Sequence, residues 1–72
     1  MSSASPELPG VVGSVGRLTV ATGVGRPGEV VLAVRGGTEA FSAWSEEALP
    51  RNTKVLVLEL TSARSVQVTR LL

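Results

Sequence analysis

The stretch Arg26-Pro27-Gly28-Glu29-Val30-Val31-Leu32-Ala33-Val34-Arg35-Gly36-Gly37-Thr38-Glu39-Ala40-Phe41-Ser42-Ala43-Trp44 decides the fold. Two β-rich runs flank a Gly-Gly dipeptide, which supplies positive φ for a two-residue primed turn and so predicts a β-hairpin. That loop sets Val34 opposite Glu39, Leu32 opposite Phe41, Val30 opposite Ala43 and Glu29 opposite Trp44. Side chains alternate along a strand. One face then carries Val30, Leu32, Val34, Phe41 and Ala43, an apolar set suited to a core. The other carries Glu29, Val31, Ala33, Ser42 and Trp44, a mixed set.

Working outward, Arg17–Thr22 reads as a first strand, with Leu18 and Val20 on one side, and Gly23–Gly28 as a flexible connection in which Pro27-Gly28 suits the middle of a type II turn. Beyond Trp44, Ser45 is a plausible N-cap, and Glu46 and Glu47 complement the dipole of a short helical turn that Pro50 ends. Leu49 is placed to plug the core. Asn52 is the residue of the next turn best able to adopt a left-handed conformation. Lys54–Leu60 is a fourth strand whose alternation breaks, because Val55 and Val57 share a parity that Leu58 and Leu60 do not. A fully buried strand or a β-bulge near Leu58 accounts for that. Ser65–Thr69 is the last strand, with Val66 and Val68 inward.

Five short strands with one helical turn between the third and fourth predict an all-β chain folded as a small closed or partly open barrel, with an SH3-like barrel as the rival. Closure also removes sheet edges. With 72 residues the chain makes one small domain. It buries only about 60% of its unfolded surface. No cysteine or histidine is present, so disulfides, thiolate metal sites and imidazole chemistry are unavailable. Seven basic against six acidic residues give a net charge of +1, too little for a broad electrostatic footprint. The longest apolar run, Val30–Val34, is far short of the roughly 20 residues of a membrane span. The Ser- and Pro-containing start lacks a signal-peptide pattern. The expected organisation is a flexible tail over 1–12 and a barrel over 13–72, with a cytoplasmic location for the chain as it stands. Attachment at the membrane periphery, or origin within a longer membrane protein, is left open.

The run Gly23-Val24-Gly25-Arg26-Pro27-Gly28-Glu29-Val30, the Arg35-Gly36-Gly37 turn, Phe41-Ser42-Ala43 leading to Ser45-Glu46-Glu47, and Leu49-Pro50-Arg51-Asn52-Thr53-Lys54-Val55-Leu56-Val57 resemble the C-terminal soluble domain of the NfeD family, as does Val66-Gln67-Val68. The resemblance implies a five-stranded OB-fold barrel. It also implies a role beside stomatin- or flotillin-like scaffold proteins in bacterial membrane organisation. Asn52 stands where the family usually has glycine, and Ser62-Ala63-Arg64 replaces a glycine-bearing turn. The resemblance extends neither to the family's membrane helices nor to the serine-protease domain of its long members, so proteolysis is not carried over.

Gly23, Gly25 and Gly28 spell the dinucleotide fingerprint, but that motif needs a following helix, and here a β-rich run follows. No cofactor is implied. The serines and threonines have no histidine to activate them, Lys54 has no evident partner, and Glu46 and Glu47 are adjacent rather than convergent. The expectation is a non-enzymatic interaction module. Trp44, with Val31 diagonal to it and Leu56 nearby, is the candidate partner interface, for a scaffold protein or a second copy. The alternative is binding of single-stranded nucleic acid through Arg17, Arg26, Arg35 and Lys54 with Trp44. Phe41 is claimed by the core and offers no stacking platform.

Overall fold

The computed structural model describes residues 10–72. Five strands form, β1 (Val15–Val20), β2 (Gly28–Val34), β3 (Gly37–Trp44), β4 (Lys54–Ser62) and β5 (Ser65–Arg70). They close into a barrel in the order β1-β2-β3-β5-β4. Neighbours pair antiparallel except β3 and β5, which run parallel. This is the five-stranded OB arrangement. The interior is filled by Leu18, Val30, Leu32, Phe41, Ala43, Val55, Val57, Val66 and Val68, drawn from all five strands, with Leu49 from the β3–β4 connection. Burial of these branched side chains is the main favourable term for a chain with no covalent staple.

The central hairpin forms with its two faces as expected, but its register differs. The loop residues are Arg35 and Gly36, not Gly36 and Gly37. Pairing runs without interruption from Val34↔Gly37 to Gly28↔Ala43, so Val30 faces Phe41 and Leu32 faces Glu39. Gly36 has φ 82° while Arg35 stays at negative φ. A turn that needs positive φ only at its second central residue spends one glycine, not two. The shift relative to the expected pairing is two residues, and the side-chain period is also two, so every residue keeps its face.

Three local expectations change. In β1 the register slips between Leu18↔Val30 and Val20↔Glu29, leaving Thr19 bulged. Its hydroxyl donates to Glu29 Oε1 at 2.8 Å. The extra residue reverses parity, so Leu18 is buried while Val20 is half exposed rather than sharing its side. The turn after β1 lies at Gly23–Arg26, closed by reciprocal backbone bonds of 2.9 and 3.1 Å, rather than at Pro27-Gly28. Gly28 instead begins β2 with its backbone pressed on the strand it faces. A Cβ there would meet the Val20 carbonyl oxygen and come within 2.7 Å of that of Ala21. Between β3 and β4 the chain forms a bend with no helical hydrogen-bond pattern. Ser45 still accepts the Glu47 N–H at 3.1 Å, so the cap forms without the helix.

Other readings hold. Asn52 takes φ 76°, Leu49 is buried, and β4 bulges at Leu58, where pairing jumps from Val57↔Val68 to Glu59↔Gln67. Of the expected tail over 1–12, residues 1–9 lie outside the described residues. Val11 is in the core, and the Gly13 N–H donates to the Val57 carbonyl at 2.8 Å. Among the described residues no helix is long and apolar enough to cross a membrane.

Candidate docking groove

β3 ends at Trp44, whose side chain shares the outward parity of Ala40 and Ser42. Because β5 lies between β3 and β4, Trp44 pairs with Gln67 and Gln67 with Glu59. The three residues form one row across three strands, roughly 10 Å wide at the usual strand spacing. The row crosses a groove of about 540 Å³. One wall is Trp44 with Ser45, Glu46 and Glu47, the opposite wall is Leu58 and Glu59, and β5 supplies the floor with Gln67 and Thr69. The bulge builds the second wall. Without an extra residue at Leu58, strand alternation would not set Leu58 and Glu59 both toward solvent, as they are here.

The first wall is held by a residue the sequence reading took only as the end of a strand. Thr22 is 5% exposed, the one buried polar side chain among the described residues. Its hydroxyl donates to the Glu47 carbonyl and accepts the Leu49 N–H, each at 2.9 Å. Its own N–H donates to the Leu49 carbonyl, also at 2.9 Å. Leu49 thus enters the core without leaving its backbone unpaired, and Glu46-Glu47 is fixed beside Trp44. The available signal was indirect: an apolar residue in a proline-ended loop needs a polar partner for its backbone, but nothing in the spacing says which one.

The three residues expected to form an interface are not brought together. Trp44 remains partly open at 37%. Val31 lies across from Arg17 and Ala40, four positions from Trp44 and so roughly 13 Å along the sheet. The two-residue register shift removes the expected diagonal contact. Leu56 pairs with Thr69, which lines the groove, but does not line it itself. Leu58, not Val31, is the exposed aliphatic residue that lines the groove with Trp44.

The cations expected to meet nucleic acid are also dispersed. Arg17 and Lys54 are register partners, and Arg17 Nη1 donates to the Asn52 carbonyl at 3.2 Å. Arg35 is in the β2–β3 turn. Arg26 closes the Gly23 turn with its guanidinium over Gly23. Only the first two adjoin. The glycines of the dinucleotide-like motif lead into β2.

Comparison with known proteins places this geometry. The family model described as NfeD C-terminal domain matches residues 15–69, β1 through all but the last residue of β5. A solved structure, the solution structure of the soluble domain of the NfeD protein YuaF from Bacillus subtilis, superposes with a TM-score of 0.71 at 32% identity, covering 83% of this chain and 73% of that one. Among curated proteins there is no match. A match over most of the barrel, in sequence and in fold, is enough to assign kinship: the chain belongs to the NfeD C-terminal domain family.

Proposed function

We propose that this domain is a non-enzymatic protein-interaction module that acts with a stomatin- or flotillin-like membrane scaffold protein and docks through the groove beside Trp44. The observation that carries the reading is the position of that tryptophan. The core of so small a domain has every reason to bury it, yet it stays partly open beside an exposed leucine. Tryptophan in a concave apolar-and-polar setting is the residue type most enriched at interface hot spots. The resemblance to the NfeD family supports that class of partner, and a sequence without histidine or cysteine argues against nucleophilic chemistry.

The test is direct binding between the purified domain and a purified stomatin-like or flotillin-like scaffold protein, by interferometry, for wild type and Trp44→Ala. Docking through the groove predicts a loss of roughly 10-fold or more in affinity, with unchanged far-UV circular dichroism. Equal binding by a folded Trp44→Ala variant removes the groove from the reading. No binding by wild type to either scaffold class removes the partner.

A further inference from the structure

The groove is chemically lopsided. Three of the six acidic residues of the chain, Glu46, Glu47 and Glu59, line it, and no lysine or arginine among the described residues does. All three glutamates are exposed. Among the described residues the carboxylate that accepts a side-chain hydrogen bond is that of Glu29, from Thr19, so the groove carboxylates are left to solvent. Trp44 shares its wall with Glu46 and Glu47 and stands at the other end of the row from Glu59. A protein of net charge +1 therefore carries a concave site of local charge −3, with an aromatic ring in its wall.

We infer that the groove takes a basic polypeptide segment, with an arginine or lysine side chain seated against Trp44 and flanked by Glu46-Glu47 on one side and Glu59 on the other. This rests on the reading of the groove as a docking site and names the chemistry of what docks there. Carboxylates and an aromatic face both attract a cation, and a cleft focuses the field of its lining charges. Anionic occupants are repelled by the same charges. A bare metal ion does not fit, since among the described residues no three carboxylates are placed to share one. A guanidinium on an extended chain matches the row, reaching from the ring on β3 across Gln67 to the carboxylate on β4. Leu58 and the aliphatic stem of the incoming side chain cover each other.

Trp44 is the only tryptophan of the chain, so its fluorescence reports on the groove alone. The experiment titrates the domain with a short synthetic peptide of alternating arginine and alanine, and with its glutamate-for-arginine counterpart, at low and high salt. The arginine peptide is expected to shift the emission saturably and to weaken steeply with salt. Its affinity should fall about 10-fold in the folded Glu46→Gln/Glu47→Gln/Glu59→Gln variant. Equal binding of the glutamate peptide, or full affinity in the glutamine variant, overturns the inference. If the arginine peptide fails while Trp44-dependent binding to the scaffold protein persists, the basic chemistry is wrong and the docking groove stands. If both fail, the groove is not a docking site.

Discussion

The two long hairpins of the barrel are built from similar residues and behave differently. β2–β3 pairs continuously from its turn to Gly28, and its strict alternation puts Val30, Leu32, Phe41 and Ala43 inside. β4–β5 slips twice, between Val57 and Glu59 and again between Leu60 and Ser62. Val55, Val57 and Val68 of its regular half, with Val66 beyond the first slip, join the same core. Its bulged position sends Leu58 outward to face Trp44 across the groove. Regular pairing makes the interior of this domain, and the break in pairing makes its candidate site. A bulge can shape the surface because it adds a residue without disturbing the inward set on either side.

The sharpest way to break the regular hairpin is at its start. Gly28→Val places carbon atoms against the Val20 and Ala21 carbonyls, where the backbone cannot yield cheaply. A cost of about 3 kcal/mol or more is expected, enough to abolish the cooperative thermal transition of a domain this small. Leu32→Ala, in the middle of the same hairpin and 1% exposed, should cost about 2–5 kcal/mol by denaturant unfolding. A loss under 1 kcal/mol would mean that the core does not depend on this register.

Between the two regions stands Thr22. Thr22→Val keeps the shape but strands the Leu49 N–H and the Glu47 carbonyl, for a cost of about 1–3 kcal/mol. Because the same bonds hold the groove wall, Trp44 emission should also move toward that of solvent-exposed indole, and Thr22→Ser should restore both. An unchanged emission maximum would separate the wall from its clamp. The smallest effect is expected at the bulge itself. Deleting Leu58 joins Val57↔Val68 directly to Glu59↔Gln67 and leaves Leu60 inward. Stability should change by about 1 kcal/mol or less, while partner binding through the groove is lost. A large loss of stability would show that the bulge serves the core as well as the surface.

Reading strands and their faces from the sequence succeeded where alternation was clean. The faces of β2 and β3 followed from parity alone, and parity survives a two-residue error in register. The bulge in β4 was legible because Val57 and Leu58 cannot both obey one alternation. The bulge in β1 was not, since Leu18, Thr19 and Val20 read as an unbroken alternating run. The bulge brings Thr19 against Glu29, a contact between residues 10 positions apart. Trp44 was legible as a surface residue, but its neighbours were not. Choosing Val31 followed from the wrong register, and Leu58 and Glu59 arrive through the parallel pairing of β3 with β5, which no local pattern announces.

The amino-acid order determined on its own that this is a one-domain, all-β chain with an inward set of valines and leucines, turns near its glycines and Asn52, and kinship to the NfeD soluble domain. Those features depend on parity, propensity and permitted φ, which act over a few residues. The closing of the barrel decided the rest: which glycine turns the hairpin, which threonine clamps the loop, and which charges and ring share a groove. Such placements bring together residues from distant strands, and they exist only once the whole core has packed.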